Sequence, residues 1–231
     1  MGLVRNFFSI VLGVMLMTAC SNSDSNDWES GDSNWDFEFL EDAESGYLDG
    51  FGQKIPIMLV SSSELPDWLR PSAESWGETE ILLARVRVLQ GKWDDETIYY
   101  INNDLSSCIG CQYYHHDGRQ FDTEDWEKID YSQDVFTDWR CIYSAAPLVR
   151  GIVGTLHYDS NEETRSHYVA GNHKRYYIWG SLNTTELQQY DGQIVVISGF
   201  SEGDITEVVD NCPSGTTCYG LEATYIDYYS K

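Results

Sequence analysis

The hydrophobic pattern of the chain changes character twice along its length. Phe7 to Met17 (FFSIVLGVMLM) is an apolar run of 11 residues behind the base Arg5. A bilayer-spanning helix needs about 20 such residues. With small Thr18 and Ala19 leading to Cys20, the run has the parts of an export signal, which predicts a leader over residues 1–19. From Cys20 to Ser45 the periodicity vanishes: nine acidic residues and no Lys or Arg are set among Ser, Asn and Gly. A segment of this kind repels itself and buries too little apolar surface to fold alone, so residues 20–46 are expected to be a tether. Beyond it come short runs of β-branched and aromatic residues broken by Gly, Pro and Asp, the pattern of strands and turns.

Residues 47–145 predict a small α+β domain. Ile55 to Val60 is a short apolar strand, and Ser63 to Leu69 reads as one or two helical turns ended by Pro71. Glu80–Leu89 and Thr97–Asn102 are strands, with Gly91–Glu96 as the hairpin loop between them. Gln112–His116 turns at Asp117-Gly118, a tight-turn pair, Asp122 opens a capped helix, and Trp139–Tyr143 closes the unit.

Residues 146–231 follow a different order. Val149–Tyr158 is a long strand whose glycines allow the bend of a barrel strand. Arg165–Ala170 and Lys174–Trp179 form a hairpin around Gly171-Asn172. Asn183-Thr184-Thr185-Glu186 fits a capping box and starts a short helix that Asp191-Gly192 ends. Gln193–Gly199 and Tyr219–Tyr228 supply two more strands. Three strands, a helix and two strands is the order of an OB-like five-stranded barrel. The fold class expected is therefore mainly β with some helix: a small α+β domain, then an OB-like barrel.

Leu16-Met17-Thr18-Ala19-Cys20 resembles a lipobox, with Met17 where Leu is usual. That resemblance implies a diacylglyceryl thioether on Cys20 and firm anchoring by its acyl chains. Lipoproteins of the Bacteroidota often carry an acidic stretch after the lipidated cysteine, and Asp24, Asp27 and Glu29 loosely resemble it. Ser21, in place of Asp, argues against inner-membrane retention. The resemblance implies an outer-membrane address, at the cell surface, with the periplasmic face as the alternative. The phrases IYYINNDLSSCIGCQYYHHDGRQF with WRCIYS, and YYIWGSLN with ELQQYDGQIVVISG, also resemble domains of Bacteroidota lipoproteins. No activity is implied by either.

Charge narrows the partners. With 38 acidic and 14 basic residues the formal net charge is −24, which repels nucleic acid and anionic headgroups. The expected partners are the membrane, through the lipid on Cys20, and a glycan or protein met outside the cell.

The remaining chemistry lies in cysteines and rings. Pro213 and Gly215 bend the chain between Cys212 and Cys218, so these two are expected to form a disulfide. Cys108-Ile109-Gly110-Cys111 precedes a strand, whereas a redox pair would open a helix. As a metal site it has no second CxxC and no spaced His pair. A second disulfide is expected from two of Cys108, Cys111 and Cys141, which leaves one thiol over. His157, His167 and His173 read as surface histidines, and Asp159–Glu163 as a solvated turn. No HExxH, GxSxG, Walker A or GxGxxG pattern occurs. Neither catalytic residues, a metal nor a cofactor is assigned. Trp76, Trp93 and Trp179 lie in or near loops, where an indole can stack on a sugar or a peptide, and are the candidate ligand contacts. The function expected is a non-enzymatic binding or accessory lipoprotein. Two rivals stay open: an inhibitor of a secreted protease, and a hydrolase with an unrecognised site.

Overall fold

The computed structural model describes residues 37–77, 86–103, 112–130, 135–159, 166–171, 173–180, 182 and 184–230. The leader, Cys20 and the Cys108–Cys111 motif lie outside the described residues. Strands make up 51% and helices 12% of the described residues, so this part of the molecule is mainly β. In chain order come β1 (Glu38–Phe39), β2 (Tyr47–Gly50), β3 (Gln53–Pro56) and α1 (Arg70–Gly77). Then follow β4 (Arg87–Trp93), β5 (Glu96–Asn102), β6 (Tyr113–His115), α2 (Thr123–Glu127) and β7 (Phe136–Ser144). The last part holds β8 (Leu148–Tyr158), β9 (His167–Ala170), β10 (Lys174–Gly180), α3 (Thr184–Gln188), β11 (Ile194–Asp204) and β12 (Thr217–Tyr228).

The C-terminal strands close a five-stranded barrel. β8 pairs with both β9 and β11, β11 with β12, and β12 with β10, which returns to β9. Every pairing in the ring is antiparallel except β10 with β12. This is the OB-like connectivity that the element order predicts. Alternation fills the barrel with Ile152, Leu156, Val169, Tyr176, Ile178, Val195, Ile197 and Leu221, and α3 adds Leu187 to that core. Register shifts in β11 at Ser198/Gly199 and Ser201/Gly203 bend it around the ring.

The other sheet is antiparallel in the order β6-β5-β4-β7. On one face, Val88, Tyr99 and Ile142 pack with Leu65, Leu69 and Ala73 of the α1 region. On the other, Leu89, Ile98, Tyr113, Trp139 and Cys141 pack with Leu48, Ile55 and Ile57. Leu148 and Phe200 of the barrel strands belong to that same cluster. The two predicted units thus share apolar core. A buried ion pair, Arg87 on β4 with Glu222 on β12, joins the sheets, and the guanidinium lies 4.7 Å from the Phe200 ring centroid.

Four local expectations change. The stretch read as tether is folded from Phe37 on: Glu38 and Phe39 pair with Val153 and Ile152, and Phe37 packs edge-on against Tyr176 at 5.3 Å. Phe37 and Phe39 pack on the barrel core, a surface that an average over the acidic stretch hides. Gly151 lets the chain pass close at Leu40, because a Cβ there would collide with the Leu40 backbone. Pro71 does not end a helix; it sits in the first turn of α1, where its missing N–H costs nothing. Val60 N–H and Met58 N–H donate to Ile142 and Cys141 carbonyls, so residues after β3 run along β7 and leave the hairpin. The β4–β5 turn is only Asp94-Asp95, with Asp94 at φ 52°, and Gly91 to Trp93 belong to the strand.

Candidate functional site: the Trp93 cleft

Two tight turns build a polar cleft of about 810 Å³. The β4–β5 turn contributes Trp93, Asp94, Asp95 and Glu96, while the β6 hairpin and α2 contribute His115, Arg119, Asp125 and Lys128. Asp130, Val135 and Thr137 complete the lining.

Local sequence explains the second turn. Gly118 takes φ 89°, which lets Gly118 N–H reach the His115 carbonyl and returns Arg119 beside β6. His115 N–H donates to the Arg119 carbonyl at 2.8 Å. Asp122 then caps α2 by accepting from the Glu124 and Asp125 N–H groups. The Asp125 carboxylate reaches back to accept the Asp122 N–H at 3.1 Å, completing a capping box. That reach aims Asp125 at Arg119 and His115.

The cleft floor is a set of mutually compensating charges. His115, with a side chain 6% exposed, has Nδ1 at 2.9 Å from Glu96 Oε1 and Nε2 at 3.1 Å from Asp125 Oδ2. His116 Nδ1 lies 2.9 Å from the same Glu96 oxygen. Arg119 Nη1 donates to Asp125 Oδ2 at 2.7 Å and to Asp122 Oδ2 at 3.1 Å. The Arg119 hydrogen bond holds the Asp125 carboxyl well below the ordinary carboxylate range, and this outweighs the cost of burial. Burial opposes ionisation of Glu96, yet hydrogen bonds with His116 and His115 bring its carboxyl below the ordinary value. Both acids are therefore ionised acceptors at neutral pH. The His115 ring stacks on Phe121 at 4.5 Å, and Trp93 packs against Phe121 at 5.2 Å and His115 at 6.1 Å. Part of the Trp93 indole remains open to the cleft.

The three candidate tryptophans lie in separate places. Trp93 lines the cleft. Trp76 packs on the α1 side of the sheet near Tyr143, at 6.1 Å. Trp179 sits half-buried on β10 of the barrel. Among the cysteines, Cys212 and Cys218 form the expected disulfide. Cys141 is a free thiol in the core, and burial pushes its pKa up to about 12. The expectation for Cys108 and Cys111 lies outside the described residues. The disulfide does more than tie a hairpin. Tyr177 points outward from β10, yet it is 0% exposed, because Ile205 and Val209 of the β11–β12 loop pack over it with Cys218. The outer face of β9 and β10 is covered at that place. His167, read as a surface residue, is 1% exposed and paired opposite Ile178 of the barrel core.

The sequence offers Glu96, Arg119 and Asp125 no role, and His115 or His116 only as a ligand beside Cys108 and Cys111, a metal site already set aside. Two signals were present: the Asp-Gly turn beside a His-His pair, and an acid three residues after the Asp122 cap. Among the described residues no group of His, Cys, Asp and Glu side chains is arranged to hold a metal ion. Nor does any described helix have the length and apolarity to cross a membrane. Comparison with protein-family models, with curated proteins and with solved structures gives no match to this chain.

Proposed function

We propose that this chain is a lipid-anchored, cell-surface lipoprotein that binds a glycan in the Trp93 cleft without reacting it. The observation that carries this reading is the partly open Trp93 indole at the wall of an 810 Å³ polar cleft. An aromatic ring beside a few convergent polar groups is the composition of a small-molecule site. The C–H face of a sugar can stack on the indole, while Asp94, Asp95 and Thr137 at the rim offer hydrogen bonds to hydroxyls. The floor favours holding over turnover, since His115, Glu96, Arg119 and Asp125 are already engaged with one another. A net charge of −24 favours neutral or cationic ligands over anionic ones. The anchor follows from Leu16–Cys20, and the acidic residues Asp24, Asp27 and Glu29 support the outward address.

The test is a glycan array probed with purified protein, wild type beside Trp93→Ala. At least one glycan should be retained, with binding reduced tenfold or more by the substitution at unchanged circular dichroism. Equal binding by the variant would move the site away from the cleft, and an array without hits would remove the glycan reading. For the anchor, Cys20→Ala should shift the protein from the membrane to the soluble fraction; a variant that stays membrane-bound refutes lipidation at Cys20.

A further inference from the structure

The cleft floor contains a contact that one protonation state cannot satisfy. His115 Nε2 faces two groups at once, Asp125 Oδ2 at 3.1 Å and Arg119 Nη2 within hydrogen-bonding distance. A guanidinium only donates, so it meets Nε2 favourably when that nitrogen carries a lone pair. The ring is then neutral, with its proton on Nδ1 donated to Glu96 at 2.9 Å. An ionised carboxylate only accepts, so Asp125 meets Nε2 favourably when that nitrogen carries a proton. Arg119 and Asp125 compete for one nitrogen, and one proton decides between them.

We propose that His115 is a proton-operated switch in the Trp93 cleft: neutral, it holds Arg119 at its Nε2; protonated, it bonds Asp125 and displaces the Arg119 guanidinium. As regulation of ligand binding, this rests on the cleft being the ligand site. The groups around the ring come from every neighbouring element. Glu96 of β5 and His116 lie on the Nδ1 side. Asp125 and Lys128, 3.9 Å from each other, belong to α2 and its end, with Asp122 at its start. Arg119 and Asp117 come from the hairpin turn, and Asp94, Asp95 and Asp130 stand around the cleft. Phe121 and Trp93 flank the ring itself.

Asp125 and Glu96 are both held below the ordinary carboxylate range. Both therefore remain acceptors where an imidazole changes charge. Arg119 is half-exposed and keeps Asp122, 3.1 Å away, as an alternative partner, so it has somewhere to go. Protonation adds one positive charge to the floor and redirects a guanidinium at the cleft edge. A ligand that prefers either arrangement is coupled by linkage to the His115 proton.

The experiment is a titration of ligand-free, ¹⁵N-labelled protein over roughly pH 5 to 8, the range in which histidines change charge. The imidazole nitrogens of His115, the Nε–H of Arg119 and the indole N–H of Trp93 are followed together. At the alkaline end the His115 proton should sit on Nδ1, and the three signals should move with one midpoint. Removing the carboxylate by Asp125→Asn and removing the guanidinium by Arg119→Gln should displace that midpoint in opposite directions. Because the two variants act in opposite directions, loss of fold in one leaves the other decisive, with near-ultraviolet circular dichroism as the check. An Nε2–H tautomer at high pH, or an Arg119 signal that stays still while His115 titrates, overturns the switch. No glycan is used, so an empty glycan array does not touch this result, and a failed titration leaves Trp93 as a ligand contact.

Discussion

At the scale of single residues, the acid sensitivity of the fold is expected to arise in two separate pH windows. His167 is 1% exposed; its Nδ1 is 3.0 Å from Ser166 Oγ, and its Nε2 has no hydrogen-bond partner among the described residues. Burial pushes its pKa below the ordinary histidine value. A base with a depressed folded value binds fewer protons folded than unfolded. Its neutral form therefore supports the fold above the unfolded value of about 6.5, and stability is lost as the pH falls from there towards the folded value. Asp125, also depressed, supports the fold above its unfolded value of about 3.9, and that support is lost only as the pH falls further, towards its lower folded value. Urea midpoints should therefore drop already between about pH 7.5 and 5. His167→Leu should flatten that first drop and leave the lower one in place. An unchanged first drop in the variant would assign it to another group.

At the scale of elements, α2 and the β11–β12 loop show what short segments depend on. α2 is only five residues long, and Asp122 caps it through two N–H groups. Asp122→Ala should cost about 1 kcal/mol of stability, and more if Asp125 loses its aim at Arg119. The Cys212–Cys218 loop closes over a separation of six residues. Replacing both cysteines by serine should cost about 2 kcal/mol by loop entropy. It should also raise hydrogen exchange along β10 and β12, as the cover over Tyr177 loosens; unchanged exchange would show that the apolar contacts of Ile205 and Val209 suffice. Elements of this kind were legible where turn chemistry is local. The Asp117-Gly118 turn, the Asp122 cap and the order of the barrel strands all stand at their expected places. What stayed illegible depends on distant partners. Phe37 and Phe39 read as isolated rings in an acidic run, because the groove along β8 that receives them is more than a hundred residues away. The cleft escaped for the same reason: Glu96 and His115 are ordinary residues until the β5–β6 pairing brings Ile98 opposite His115.

At the scale of the whole molecule, the question is whether the sheet and the barrel unfold as one body. Leu148 and Phe200 share a core with Leu89, Ile98 and Trp139, and Arg87–Glu222 spans the junction with side chains 7% and 11% exposed. A buried pair repays its desolvation poorly, yet removing one partner strands a charge in the core, at about 3–5 kcal/mol. The pair therefore adds little net stability while making misalignment of the two halves costly. Arg87→Met and Glu222→Leu should each lower the urea midpoint strongly, and the double variant should recover most of the loss. Phe200 strengthens this expectation, since the guanidinium already lies over its ring and a methionine can fill that space. The protein should unfold in a single transition when followed both by tryptophan fluorescence and by far-ultraviolet circular dichroism. Two transitions in the wild type would make the halves independent domains. Singles that cost little, with no recovery in the double, would show that the apolar junction alone fixes their relation.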